Sequence, residues 1–464
     1  MAEKKSSNEK LQEKVLMKKK SAWLSYPNQE IMKFSEGYKK FLAENKTERY
    51  CAEFIVKSLE KSGFKDIFKV KILKSGDKIY KTIKEKCVLA AIVGKDKAQL
   101  NLIGSHIDSP RLDLKPNPLY EDSGIAMLKT HYYGGVKKYH WVNLPLALHG
   151  IVFTKEGKKV LISIGEKAEE PKFIIPDLLP HLAKKQMEKK GNEIVEGEEL
   201  NLLVGNIPID DDKIKEQVKL AVMKELNSKY GLVEEDFFSA ELELVPAGMP
   251  VDIGLDKSMV GAYGQDDRVC AYTSLQALLD IKSPKRTAVG MFVDKEEIGS
   301  YGDTGASSFM LINFVRELAS LAGIKEDVFS ILEKARSVSA DVTGGMDPNF
   351  KDVNDPKNAS YLGNGVAVEK YGGGGGKYST HDSGAEYISY IRGILDKNKV
   401  PWQTGELGKI DVGGGGTIAM FLSRYGMDCI DAGPCVLGMH APCEVTSKAD
   451  IYACYKFYRS FWEN

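Results

Sequence analysis

Five short segments of this 464-residue chain place histidine or carboxylates just beyond an apolar run or a turn. They are Gly104-Ser105-His106-Ile107-Asp108, Gln265-Asp266-Asp267-Arg268, Lys295-Glu296-Glu297-Ile298-Gly299, Ser339-Ala340-Asp341-Val342-Thr343 and Gly438-Met439-His440-Ala441. The chemistry that such a set could do is metal-assisted hydrolysis. Two divalent ions about 3.5–4 Å apart need a mixture of imidazole and carboxylate ligands, one carboxylate bridging them. Two histidines with three carboxylates suit zinc, cobalt or manganese better than calcium or magnesium. A further carboxylate that binds no metal must take a proton from the attacking water. The adjacent pair Glu296-Glu297 can supply both a ligand and that base. Asp108, two residues after His106, falls on the same face of an extended strand and can hold the second ring nitrogen.

Taken singly, each piece has a plainer structural alternative. A His-x-Asp after a strand can be purely architectural, and Glu-Glu in a loop can be solvated surface. Asp266-Asp267-Arg268 can open a helix with an aspartate cap. Asp341 can cap whatever follows, and His440 can be a buried, satisfied histidine. Their order, and their placement at strand ends, is what favours a site, because open α/β sheets put sites at the carboxyl ends of their strands.

The elements that must position these residues are α/β. Helical spacing over residues 29–63 has Thr47 as an internal N-cap and Gly63 as the closing residue. Strand-like runs follow at 69–73, 88–93 and 100–103, reading as buried strands of a mixed or parallel sheet. The texture changes over 116–249. Segments 151–153 and 160–163 read as an antiparallel hairpin, 171–180 is punctuated by proline, and 196–212 is acidic and loop-like. Alternation then resumes, with helix at 269–279, strand at 288–293, helix at 305–322 and strand at 337–341. The chain therefore divides into an N-terminal extension (1–28), a discontinuous catalytic domain (29–115 and 250–464) and a strand-rich insertion (116–249).

Composition narrows the function. Lys+Arg and Asp+Glu both number 65, so no overall charge draws the chain to nucleic acid or an anionic membrane. Hydrophobic residues at 43% and charged residues at 28% are ordinary for a globular protein. The longest apolar contender, 141–153, is too short to span a bilayer and contains Pro145 and His149. The basic N-terminus has no apolar core of a secretory signal. Seven cysteines, an odd number without a C-x-x-C pair, point to a reducing, cytoplasmic setting. Of two glycine runs, 372–376 fails as a P-loop, because Tyr371 replaces its first glycine and Tyr378 follows the lysine. The other, 413–416, leads into a helical pattern at 417–422, where free N–H groups could face an anion.

The ordered motifs G-S-H-I-D-S-P, Q-D-D-R, K-E-E-I-G-S, S-A-D-V-T and L-G-M-H-A resemble those of the aspartyl aminopeptidase family, which includes vacuolar aminopeptidase I. The resemblance runs from about residue 29 onward, and the segment Tyr133-Gly134-Gly135 shares in it. It implies a mixed-sheet zinc-peptidase domain sandwiched by helices, with a strand-rich dimerisation domain inserted. It also implies two divalent ions per subunit, zinc before cobalt or manganese: one held by His106 and Asp341, one by Glu297 and His440, with Asp266 bridging. Glu296 would be the general base, and Asp108 would orient His106. The substrates would be peptides with free N-termini, and the subunits would form dimers assembling into a tetrahedral dodecamer.

His181 matches a family histidine that reaches a neighbour's active site, and Tyr378 matches a substrate contact. One departure stands out. Where acidic-specific relatives carry a lysine that pairs with the substrate side chain, an ungapped match puts Glu369. A carboxylate there would repel Asp or Glu and favour neutral or basic N-terminal residues. The rival readings are a dizinc carboxypeptidase or N-acyl amino acid deacylase and, outside enzymes, a silent assembly protein retaining the peptidase shell.

Overall fold

The computed structural model describes residues 6–17 and 21–464. Within the expected N-terminal extension, a helix at Ser7–Val15 starts on a reciprocal cap. The Ser6 hydroxyl accepts from the Glu9 N–H, and the Glu9 carboxylate accepts from the Ser6 N–H. The extension's residues 1–5 and 18–20 lie outside the described residues.

Among the described residues the strands form three sheets of nine, six and five. At the centre of the nine-stranded sheet, Arg286–Val293, Asp96–His106, Arg336–Ser339 and Asp428–Gly433 run parallel side by side. Antiparallel Cys87–Ile92 flanks them on one side and Val366–Glu369 on the other. Cys87–Ile92 is apolar at every position because both faces are covered. Val88, Ala90 and Ile92 belong to the buried layer formed with the helices Asn28–Glu44, Glu48–Lys61, Gln265–Asp280, Ala385–Lys397 and Lys448–Glu463, while Leu89, Ala91 and Val93 belong to the layer that includes Met310–Ala322. Side chains such as Phe314 and Phe461 are fully buried between these layers, and each such burial contributes roughly 1.5–3 kcal/mol. The catalytic sheet is thus sandwiched by helices, in the expected α/β class.

The six-stranded sheet is wholly antiparallel and is built from strands between Arg111 and Pro246. Its first strand, Arg111–Asp122, starts five residues after His106 ends the strand before it. Leu146–Phe153 and Lys159–Ile164 form the expected hairpin. The smaller five-stranded sheet carries Met259–Ala262 next to Glu444–Ser447 and thereby brings the region of Asp266 against the loop of His440. No helix among the described residues is long and apolar enough to cross a membrane.

Thr47 caps its helix by accepting from the Tyr50 N–H, and Gly63 follows the helix with φ +86°. Two expectations fail. Residues 69–73 form no strand: the 3₁₀ turn Ile67–Lys69 leads into a loop, and the Leu73 N–H is satisfied by the Leu321 carbonyl of a helix end. The alternation there reflects the burial of Leu73, not sheet pairing. The acidic stretch 196–212 is not all loop. Leu200 and Leu202 are buried in it, and Leu202–Gly205 pairs as an edge strand with Ile125–Tyr133.

Candidate metal centre and active site

Three neighbouring parallel strands end at one edge of the large sheet and deliver three groups together. Asp96–His106 ends on His106, Arg286–Val293 leads into the tight turn Glu296–Ile298, and Arg336–Ser339 ends two residues before Asp341. Asp266 comes from the first turn of Gln265–Asp280, where its peptide bond to Asp267 is cis. His440 comes from the loop after Cys435–Leu437, at φ +65°.

Ligand atoms of His106, Asp266 and Asp341 lie within 4.8 Å of one another, and so do those of Asp266, Glu297 and His440. Asp266 belongs to both triads. His106 Nε2 is 3.1 Å from Asp266 Oδ1 and 3.8 Å from Asp341 Oδ1. His440 Nε2 is 3.1 Å from Asp266 Oδ2 and 3.3 Å from Glu297 Oε2. Each imidazole has its other nitrogen occupied. His106 Nδ1 faces the Asp108 main-chain carbonyl at 3.0 Å, with Asp108 Oδ1 at 3.3 Å. His440 Nδ1 faces the Gly135 carbonyl at 2.9 Å. A carbonyl can only accept, so both rings carry their proton on Nδ1 and aim Nε2 at the carboxylates.

The electrostatics are those of a cation site. Burial pushes Glu297 well above the usual carboxylate range, with Asp266 adding to it, and burial and Asp267 do the same to Asp341. Burial raises Glu296 to about 7, opposed by His106 and reinforced by Asp108. Only Asp266 is held low, by its hydrogen bonds to the two histidines, which outweigh its burial. Glu297 Oε1 is buried without a hydrogen-bond partner among the described residues. An orphaned oxygen on a buried carboxylate whose other oxygen faces the His440 imidazole fits a zinc-type ion.

A family model for aminopeptidase I zinc metalloprotease, M18, matches residues 41–462. The chain belongs to this family. It is a zinc metalloaminopeptidase, a peptide hydrolase. A curated relative, "Probable M18 family aminopeptidase 1" of Clostridium acetobutylicum, is 47% identical over 97% of this chain and 99% of its own length. The crystal structure of the M18 aminopeptidase of Thermotoga maritima superposes with a TM-score of 0.94 at 46% identity, covering 97% of this chain and 100% of that one. The mApe1 dodecamer of Saccharomyces cerevisiae shares the fold, with a TM-score of 0.74 at 22% identity over 92% of this chain and 96% of that one.

The other M18 candidates stand apart from the triads. His181 is exposed on a loop of the six-stranded-sheet unit, and no hydrogen bond or ion pair joins it to the triads. Tyr378 is exposed beside the 372–376 glycine run, its ring near Gly375 and Gly376. Glu369 is different from what the sequence suggests. It lies buried at the end of Val366–Glu369, hydrogen-bonded to the Thr343 hydroxyl, and burial pushes it up to about 8. Burial thus disfavours the charged carboxylate on which the expected repulsion of acidic residues depends. The 413–416 run leads into a short helix, Ala419–Ser423, and is packed against 372–376, with the Gly415 carbonyl accepting from the Gly373 N–H.

Sequence reasoning gave no role at the triads to Tyr133, Gly135, Asp267 or Glu444. The Asp108 carboxylate accepts from the Glu296 and Glu297 N–H groups (3.1 and 3.2 Å) and from the Tyr133 hydroxyl (2.8 Å), so it caps the turn as well as facing His106. Gly135 supplies the carbonyl on His440. Asp267 accepts from the His106 N–H at 3.4 Å. Glu444 accepts from the Asp266 and His440 N–H groups at 3.1 and 2.8 Å. Glu444 follows His440 by four residues and was open to detection; Tyr133 and Gly135 come from another sheet and bore no spacing signal.

Proposed function

We propose that this M18 enzyme removes N-terminal residues from peptides at a two-ion site. One ion would be held by His106 and Asp341 and the other by Glu297 and His440, with Asp266 bridging. The observation that carries this reading is the sharing of Asp266 by two triads, with Glu296 next in sequence to a ligand and in neither triad. Bound zinc would supply Lewis acidity and a water that ionises near neutral pH.

The chain's own residues do the rest. Glu296 takes the proton from the attacking water and passes it to the leaving amine. Asp108 fixes the turn that separates Glu296 from Glu297, and with it the division of labour between base and ligand. The carboxylate-rich pocket receives the peptide's free amino terminus. Buried and held toward its neutral form, Glu369 would neither pair with a basic side chain nor repel an acidic one. His181 would reach a neighbouring subunit's site and Tyr378 would touch substrate. The strand-rich insertion, 116–249, would be the dimerisation domain of a dodecamer like that of mApe1, and the free cysteines fit a cytoplasmic enzyme.

The test is zinc stoichiometry on the purified protein with hydrolysis of Asp-, Glu-, Lys-, Arg- and Leu-peptides bearing free or acetylated N-termini. Two ions per subunit and chelator-sensitive release from free N-termini is the expected result. One ion per subunit would end the two-ion reading, and a Lys or Arg preference lost in Glu369→Gln would end the reading of Glu369 as uninvolved. Sedimentation of the native protein, with and without His181→Ala, checks the assembly and separates a loss of assembly from a loss of catalysis.

A further inference from the structure

The six-stranded sheet touches the metal centre at one place, the end of its strand Ile125–Tyr133. We propose that residues 133–135 form a clasp through which this second sheet positions both halves of the centre. The proposal rests on the ligand set assigned above. Two contacts, one to each half, carry it. The Tyr133 hydroxyl donates to Asp108 Oδ2 at 2.8 Å, and Asp108 in turn faces His106 and holds the Glu296-Glu297 turn. Two residues on, the Gly135 carbonyl accepts from His440 Nδ1 at 2.9 Å and so sets which nitrogen His440 offers the metal.

The clasp is itself anchored and tightly fitted. The Tyr133 ring lies on the Arg111 guanidinium, 3.9 Å from its centroid, and buried Arg111 is held by Asp113, Glu243 and Glu48. Gly134 has φ +76°, and a Cβ there would sit 3.3 Å from Glu297 Cβ; a Cβ on Gly135 would sit 3.2 Å from His440 Nδ1. No larger residue fits at either position without moving a ligand. Tyr133 and Gly135 are therefore positioning residues that act through Asp108 and His440.

The experiment uses full-length Tyr133→Phe, which keeps the ring on Arg111 and removes only the hydroxyl, and Gly135→Ala, which presses on His440. Tyr132→Phe, at an exposed neighbouring ring, is the control. Zinc occupancy of each position is read by anomalous diffraction from crystals equilibrated against zinc buffers, beside kcat, KM and the thermal midpoint of the zinc-free protein. Tyr133→Phe should weaken zinc at the His106–Asp341 position by about 10–100-fold, and Gly135→Ala should do the same at the Glu297–His440 position. Both should lower kcat with KM within about two-fold of wild type, and the zinc-free midpoints should fall by no more than the net loss of one hydrogen bond allows. Wild-type occupancies in both variants would overturn the clasp, as would lowered zinc-free midpoints with unchanged occupancies. If wild type itself takes up only one zinc, the two-ion reading fails first and the clasp falls with it. Should one variant not fold, the occupancy pattern of the other decides.

Discussion

The molecule buries two groups of carboxylates close together, and they are balanced in opposite ways. Around Arg111, every buried acid has a cation within reach. Glu48 has Lys86 at 3.2 Å and Arg111 at 3.5 Å, and Glu243 has Arg111 at 3.3 Å. Burial would raise Glu48, but Arg111 and Lys86 bring it down to about 2, while burial and the neighbouring Glu48 keep Glu243 above the usual range against the pull of Arg111. At the carboxyl edge of the large sheet, Asp266, Glu296, Glu297 and Asp341 have two imidazoles and no lysine or arginine ion pair among the described residues. Taking charges out of water costs several kcal/mol each unless a partner offsets it. The matched cluster meets that cost with protein cations and is architecture. The unmatched one leaves it to be met by something the chain does not encode, and this separates a metal centre from a buried salt bridge.

The most severe way to break the contrast is to take the metal away. Exhaustive chelation should abolish peptide hydrolysis and zinc should restore it; activity persisting in metal-free protein would mean that the unmatched acids need no cation. Next in size, Glu296→Gln should lower kcat by about 10²–10⁴-fold with zinc content intact. Retained activity would move the base elsewhere, and lost zinc would make Glu296 a ligand.

The matched cluster should answer in stability instead. Lys86→Met strips Glu48 of one of its two cations and should cost about 3–5 kcal/mol in urea unfolding while leaving zinc content unchanged. Wild-type stability in that variant would show that the pairing is not what holds Glu48.

The smallest effect concerns Glu369. Its folded pKa, about 8, lies above the ordinary 4.5, so the stability it contributes is full below about 4.5 and is lost as pH rises through 8. Glutamine imitates the protonated acid and has no proton to lose. Glu369→Gln should therefore match wild type at about pH 4 and gain on it as pH rises to 9, measured by thermal unfolding. Equal stability at both pH values would mean that Glu369 is ionised in the fold.

Much of the candidate site could be read from the chain because its ligands are tied to local events. His106 ends a strand, Glu296-Glu297 fills the turn after the next one, and Asp341 follows a third, so apolar runs announce each of them. Strand order could not be read: Arg286–Val293 lies beside Asp96–His106 although some 190 residues separate them, and a local pattern holds no information about that pairing. The supports were hidden for the same reason. Gly135 meets His440 across 305 positions of sequence, through a main-chain carbonyl that any residue type possesses. Glu369 was visible as a residue but not as a state, since its protonation depends on burial that only the fold creates. The false strand at 69–73 and the missed one at Leu202–Gly205 show the same limit: burial leaves its mark on composition, whereas a hydrogen-bond partner does not.

The five candidate ligands enter the chain in the order His106, Asp266, Glu297, Asp341, His440, and the second triad needs the last of them. A ribosome makes protein in that direction. A polypeptide synthesised as far as Asp341 already has every group of the first triad, yet no imidazole for the second and no Glu444 to brace Asp266. A chain that stops short of His440 therefore carries only one of the two triads.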